Sequence, residues 1–278
     1  MSQINAHPKK RFGQHWLQSE KALHQILRAA AVEKGDRILE IGPGTGILTR
    51  WLVKLAEAVV AVEIDSALAQ QLRQSFVETE HFRLIEGDFL ELDLPEILAQ
   101  APEFSVPNKV VANIPYYITG PILEKLLGTI ADPHPAPYET IVLLLQKEVA
   151  ERICAAPGSR TFGALSVRVQ YLADCELIAV VPAKAFAPPP KVDSAIVKLT
   201  PRSPHQPAVN PKNLETLVSL GFATKRKMLR NNLKSLVDRD VLTSLMTHLD
   251  INPQARAEDL GVESWIALSN HLQPDVRG

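Results

Sequence analysis

The 278-residue chain has only two cysteines, Cys154 and Cys175. Two thiols so far apart exclude a disulfide framework and a cysteine-ligated zinc site, and a reducing cytoplasm is expected. Long apolar runs are also missing. None approaches the roughly 18 residues that mark a membrane span, so no membrane association is expected. The first eight residues are polar and lack the apolar core of a secretory signal. Internal repeats and low-complexity tracts are absent. Charge of one sign is not in excess: 30 Lys and Arg stand against 31 Asp and Glu, a net charge of −1. That balance by itself argues against a nucleic-acid partner, but the distribution reverses the inference. Between Gly221 and Val237 lie Lys225, Arg226, Lys227, Arg230 and Lys234 with no acid. On a helical projection Leu229, Leu233 and Leu236 share one face, and Arg226, Lys227, Arg230 and Lys234 flank it. A docked helix with a basic stripe fits a phosphate binder. Lys9, Lys10 and Arg11 form a second basic cluster.

What is present is a globular composition, 46% apolar, in a chain long enough for one large domain and a small one. Arg37–Ile41 reads as a short buried strand. Gly42-Pro-Gly44-Thr-Gly46 follows at once, and then an amphipathic helix with Leu48, Leu52 and Leu55 on one face. Strand, glycine turn and helix form a nucleotide-binding arrangement. The spacing is G-x-G-x-G rather than G-x-G-x-x-G, and the turn holds no Lys or Arg for a pyrophosphate. Glu40, just before it, suits an ammonium better than a diphosphate. These features favour S-adenosylmethionine over NAD, with Gly42 and Gly44 allowing close backbone approach.

A second strand, 58–64, ends in Glu63, placed to accept hydrogen bonds from both ribose hydroxyls. A third, around 81–86, leads to Asp88, placed to accept from an adenine amino group. A fourth, 108–113, ends in Asn113-Ile114-Pro115-Tyr116. The successive intervals from Gly42 to Glu63, Glu63 to Asp88 and Asp88 to Asn113 are 21, 25 and 25 residues. Each is one βα unit, so all four features fall at the carboxyl ends of successive strands, where open parallel sheets bind ligands. Asn-x-Pro-Tyr in that place suits methylation of an adenine-type amino group. That nitrogen is a poor nucleophile because its lone pair is delocalised into the ring. An amide oxygen and a backbone carbonyl accepting its two hydrogens would localise the pair, and a flat Tyr face would hold the base. Pro115 stiffens the turn.

Seven strands are predicted, at 37–41, 58–64, 81–86, 108–113, 138–145, 174–181 and 192–200, with helices between most of them and one at 19–32. The Pro-rich segment 182–190 leaves no room for a helix, so the last two strands should be antiparallel. The expected fold is α/β: a Rossmann-like class I methyltransferase with a mixed seven-stranded sheet and one antiparallel strand, plus a small all-helical C-terminal domain. Pro201, Pro204, Pro207 and Pro211 mark a linker. The expected domains are 1–202, binding cofactor and catalysing, and 203–278, recognising RNA.

With these residues the chain resembles the ribosomal RNA adenine dimethyltransferases, and within them the bacterial small-subunit enzymes. The resemblance runs from about residue 9 to 270. It rests on Lys9–Leu17, Glu40–Gly46, Glu63, Asp88, Asn113–Tyr116, Leu145–Val149, Phe186–Val197 and Phe222–Leu233. It implies that His15 and Leu17 touch S-adenosylmethionine from above, with Gly42 under its methionine part. It further implies that Glu63 holds the ribose, Asp88 the adenine, and that Asn113 lies between cofactor and base. Tyr116 and Phe186 would flank the target adenine, although an aromatic in a Pro-rich loop often packs on its own domain. Lys191, Asp193 and Ser194 are expected to fix that loop. His15 stands where many members have Asn, so its protonation could make cofactor affinity pH-sensitive. Ile114 stands where many have Leu and contributes through its backbone.

The implied activity is N6,N6-dimethylation of two adjacent adenosines in a hairpin near the 3′ end of small-subunit RNA, by a monomer without metal, with a role in subunit biogenesis. Two alternatives stay open: a large-subunit RNA enzyme, in which Asn-Ile-Pro-Tyr also occurs, and a factor that mainly inspects immature small subunits. Pro188-Pro189-Pro190 followed by Lys191-Val-Asp-Ser favours the small-subunit branch. The glycine spacing and Glu63 make a direct prediction. Calorimetry should detect binding of S-adenosylmethionine or its demethylated product and none of NAD; the reverse pattern would refute the cofactor assignment.

Overall fold

A computed structural model describes Lys9 and residues 12–204, 206–224 and 226–272. The strands are β1 (Trp16–Leu17), β2 (Arg37–Ile41), β3 (Ala58–Glu63), β4 (Phe82–Glu86), β5 (Lys109–Asn113), β6 (Thr140–Gln146), β7 (Ala173–Val181), β8 (Phe186–Ala187) and β9 (Ser194–Pro201). The helices are α1 (Glu20–Ala30), α2 (Thr49–Leu55), α3 (Ser66–Ser75), α4 (Leu94–Ala99), α5 (Thr119–Leu127), α6 (Lys147–Ile153), α7 (Ala164–Leu172), α8 (Pro211–Gly221), α9 (Leu229–Asn232), α10 (Arg239–His248) and α11 (Val262–His271).

Seven strands form one sheet in the order β4-β3-β2-β5-β6-β9-β7. β4, β3, β2, β5 and β6 pair in parallel, and β9 runs antiparallel to β6. The expected mixed sheet is therefore present, and every predicted strand is found within about two residues of its expected ends. The parallel strands are runs of Val, Ile, Leu and Ala because both faces are covered. Chain order reverses between β2 and β5: β3 and β4 build outward on one side, β5 and β6 on the other. This is the point at which a parallel sheet opens a crevice at its carboxyl edge.

α1 covers one face. Ser19 caps it by accepting from the Ala22 N–H. Ala22, Leu23, Ile26 and Ala30 recur at helical spacing and bury against Ile38, Val111, Val142 and Ile196 of the sheet. A polar cluster closes the opposite, amino edge. Lys109 Nζ donates to Asp36 Oδ2 (2.7 Å) and to the Ala31 carbonyl that ends α1 (2.9 Å). Asn108 donates to Asp36 Oδ1 (2.8 Å) and accepts from the Arg37 N–H (2.8 Å). The cluster ties the starts of β2 and β5 to α1. α2 departs from its expected pattern: Leu48 and Leu52 are buried, but Leu55 is 36% exposed, because the chain turns back toward β3 there.

The chain folds into two compact units, one comprising Met1–Leu126, Ala136–Ala150 and Glu176–Pro201, the other Leu127–Pro135, Glu151–Cys175 and Arg202–Gly278. The second unit thus draws in α7, ahead of the proline linker where 202/203 was expected as the boundary. α7 packs on α8 and α11, the Tyr171 hydroxyl accepts from the Ala208 N–H (3.3 Å), and Arg202 bonds to the Leu172 carbonyl and pairs with Asp174. Within this unit α8 and α11 meet closely enough that a side chain on Gly221 would collide with the fully buried Trp265.

The Asp36 cluster yields a prediction. Burial raises the Asp36 carboxyl, but Lys109, the Glu33 N–H and Asn108 outweigh it and hold the pKa below the ordinary value. A depressed carboxylate stabilises the fold above its unfolded pKa, and this contribution is lost as pH falls through the folded value. Asp36→Ala leaves Lys109 buried without its partner and should cost about 3 kcal/mol at neutral pH. In urea titrations the difference from the parent should shrink below about pH 4. A loss under about 1 kcal/mol at pH 7 would refute this role.

Candidate active site

A cleft opens at the carboxyl edge, where β2 and β5 part. Its empty volume, open mouth included, is about 520 Å³. Gly42 and Gly44 line its floor, with Glu63 and Ile64 beside them. Asn113–Tyr116 form one wall, and Phe12–Trp16 form the roof. The glycine turn lies here because β2 ends in it. Gly42, Gly44 and Gly46 all have positive φ, between 58° and 73°. At Gly44 this conformation aims the backbone N–H at Glu63 Oε2 (3.0 Å). At Gly46 an added Cβ would lie 2.9 Å from Leu72 of α3, so only glycine lets the turn and that helix approach.

Glu63 ends β3 at 3% exposure. Its Oε1 accepts from the Asp65 N–H (2.9 Å). Burial raises its pKa, and the two backbone donors offset this in part. Each oxygen keeps a second lone pair, so the carboxylate can still accept from a ligand. Glu40 does not take the expected part of ammonium partner. It is 1% exposed beneath the turn and does not line the cleft. Burial pushes its carboxyl up to about 8, so it is mostly protonated at neutral pH. Its Oε2 and the Thr49 hydroxyl are both buried without a well-formed hydrogen bond, although Thr49 is near enough to pull the Glu40 pKa down slightly.

Asn113 ends β5. Its Nδ2 donates to the His15 carbonyl (3.2 Å), which fixes the amide orientation and leaves Oδ1 without a donor among the described residues. Pro115 restricts the turn to an extended φ of −62°. The Tyr116 hydroxyl shares a hydrogen bond with Ser194 Oγ (2.6 Å), and Ser194, at the start of β9, is fully buried. The phenol is raised by burial, partly offset by Ser194. Ser194 thus anchors the Tyr116 hydroxyl, a contact the sequence did not disclose because 78 residues separate the two.

The roof is formed by Phe12–Trp16. The His15 ring donates from Nδ1 to the Pro188 carbonyl (2.7 Å), since a carbonyl can only accept, and it stacks on Tyr116 at 5.9 Å between centroids. Trp16 packs over Gly44, and its Nε1 has no partner among the described residues. Two expected site residues lie elsewhere. β1 pairs with β8 so that Leu17 faces Phe186, and both side chains are 3% exposed in the core. Neither lines the cleft, and Phe186 offers no open face for a base in this arrangement. Apolar burial and a strand pairing made by two residues on each side have taken the place of stacking.

Asp88 also stays outside the cleft. Its Oδ1 accepts from the Leu90 N–H (2.9 Å), and it sits near Tyr117 and Lys125. Lys9 is engaged by Asp65 at 2.7 Å. Lys10, Arg11 and Lys225 lie outside the described residues. Among the described residues of this stretch the continuous basic helix is not present: Leu229–Asn232 is helical, with turns on both sides. Leu229 and Leu233 are buried as expected, but Leu236 is 46% exposed. Arg226, Lys227 and Lys234 are exposed and Arg230 is half-buried, so most of the charge reaches solvent from turns. Met228 bridges to Arg256 and Asn232 bonds to the Gly221 and Thr224 carbonyls, which folds the segment into a compact hook. Among the described residues no helix is long and apolar enough to cross a membrane.

Comparisons with known proteins agree with this geometry. The profile of the family described as Ribosomal RNA adenine dimethylase matches residues 5–274. Ribosomal RNA small subunit methyltransferase A of Trichormus variabilis is 64% identical over 265 residues, covering 95% of this chain and 98% of its own. A dimethyladenosine transferase from Plasmodium falciparum superposes with a TM-score of 0.76 at 27% identity, covering 91% of this chain and 96% of its own. The 23S rRNA methyltransferase ErmE gives 0.71 at 27%, covering 92% and 99%.

Proposed function

The chain belongs to the ribosomal RNA adenine dimethylase family, and we propose that it methylates N6 of two adjacent adenosines near the 3′ end of small-subunit RNA, each twice. The observation that carries this reading is the Asn113 amide, turned by its bond to the His15 carbonyl so that Oδ1 is left for a ligand. The methyl donor of this reading is S-adenosylmethionine, which supplies a methyl group on a sulfonium. The cleft suits such a cation: among the described residues no Lys or Arg lines it, and Glu63 is at its floor. Gly42 and Gly44 would admit the ligand against the backbone, and Glu63 would accept the ribose hydroxyls.

In this reading Asn113 Oδ1 and the Ile114 carbonyl accept the two N6 hydrogens, which frees the nitrogen lone pair. The Tyr116 ring, held by Ser194, stacks on the base. Pro115 keeps both acceptors in place, so that alignment and preorganised acceptors supply the rate. Asp88 and Phe186, as placed here, would reach a ligand only after local rearrangement. Residues 1–202 would carry the chemistry and 203–278 the RNA recognition, with Arg226, Lys227, Arg230 and Lys234 meeting phosphates. The large-subunit alternative has a structural relative at 27% identity, whereas 64% identity joins the chain to a protein named for the small subunit.

Asn113→Ala should slow single-turnover transfer to unmethylated small subunits by roughly 10²–10³-fold, with little change in folding stability. An unchanged rate would mean that the pocket lies elsewhere. Alanine at Arg226, Lys227 or Lys234 should weaken subunit binding and reduce the salt dependence by about one charge each, with cofactor affinity unchanged. Binding equal to the parent at low and moderate salt would show that these residues serve only solubility.

A further inference from the structure

We infer that Tyr117 is a stacking platform for the base next to the target adenine in a single-stranded stretch of RNA. This deepens the proposed function and rests on it. Tyr117 directly follows the Asn113–Tyr116 turn, and the two tyrosines open one short 3₁₀ helix, Tyr116–Ile118. Such a helix has three residues per turn, so neighbouring side chains point roughly 120° apart. Tyr116 turns inward, where its hydroxyl meets the buried Ser194. Tyr117 turns outward and is 59% exposed. It does not line the cleft, but Gly13, which does, lies against its ring. The ring therefore stands at the rim of the cleft, one residue from Tyr116, which holds the target base in this reading.

The ring is seated rather than loose. Gly13 has a left-handed φ of 56°, and a Cβ built there would lie 3.3 Å from both Cδ1 and Cε1 of Tyr117. Glycine at this position lets the backbone of the roof pass close to the ring. More than half of the side chain still faces solvent. A seated aromatic with an open side loses little conformational freedom when a flat partner stacks on it. The surrounding charge selects the kind of partner. Asp88 is close enough to raise the Tyr117 phenol, adding to the larger effect of burial. A carboxylate in that place repels phosphate and leaves the ring to an uncharged base. The substrate supplies one: the neighbour of a target adenosine is tied to it by a single phosphodiester and stays near the rim. Every base has a π-face, so Tyr117 adds affinity and holds the strand rather than reading its sequence.

Tyr117→Ala removes the ring, and Tyr117→Phe keeps it while removing the hydroxyl. The full chain is titrated, with S-adenosylhomocysteine present, against unmethylated small subunits and against a synthetic hairpin RNA with two adjacent adenosines in its loop. Tyr117→Ala should weaken both complexes roughly tenfold, the scale of one base stacked on an aromatic side chain. Tyr117→Phe should match the parent. Thermal midpoint and S-adenosylhomocysteine affinity should match the parent in both variants, which a merely structural role for the ring would not allow. Abasic sites placed in turn through the hairpin loop locate the contact. At one position beside the target the lesion should weaken the parent roughly tenfold and cost Tyr117→Ala nothing further, because ring and base are lost as one contact. Tyr117→Ala binding as tightly as the parent, both variants weakened alike, or no abasic position whose penalty vanishes in Tyr117→Ala would each overturn the platform and leave the proposed methylation intact. Where the parent binds subunits and no hairpin, the subunit titration decides alone. A parent that binds neither would overturn the proposed function and the platform with it.

Discussion

The site depends on one buried carboxylate. Glu63 ends β3 at 3% exposure, and a carboxylate so placed must be met by hydrogen bonds or lose its charge. The donors are two backbone N–H groups, from Gly44 and Asp65. Gly44 offers its N–H from a left-handed conformation, so the acid braces the glycine turn from below. Asp65, placed by the same bond, caps α3 and accepts from Lys9 and Gln14. Floor, turn and roof are therefore set before a ligand arrives, and this preorganisation is what an alignment-driven reaction needs.

A second constraint is topological. The order of strands reverses between β2 and β5, so the glycine turn after β2 and Asn113 at the end of β5 face the same crevice. The glycine turn and the Asn113 amide come from adjacent strands, although about 70 residues separate them in the chain. The Tyr116 hydroxyl on the next turn is anchored by Ser194 of β9. The antiparallel strand thus does more than complete the sheet.

Much of this was legible in the sequence because a parallel sheet repeats. Each βα unit returns the chain to the same edge, and the spacing of Gly42, Glu63, Asp88 and Asn113 carries that repeat. The parts that were not legible depend on non-local contacts. Phe186 in a Pro-rich loop reads as available for stacking, but its pairing with Leu17 buries it. Glu40 reads as a ligand for an ammonium, but β2 turns its side chain under the turn rather than into the cleft. The run from Lys225 to Leu236 has helical spacing, yet Asn232 and Met228 bond elsewhere and leave a single helical turn. A boundary placed among prolines could not anticipate α7, whose partners α8 and α11 lie some 40 and 90 residues later. Asp65 reads as an ordinary helix cap, since Lys9 and Gln14 stand more than 50 residues away.

Dimethylation of adjacent adenosines in small-subunit RNA is tested most directly by primer extension along the 3′-terminal hairpin of that RNA, from cells with and without the gene. Two neighbouring stops are expected with the gene, absent without it and absent when only the Asn113→Ala form is supplied. Stops that persist without the gene, or that map to large-subunit RNA, would contradict the proposed function.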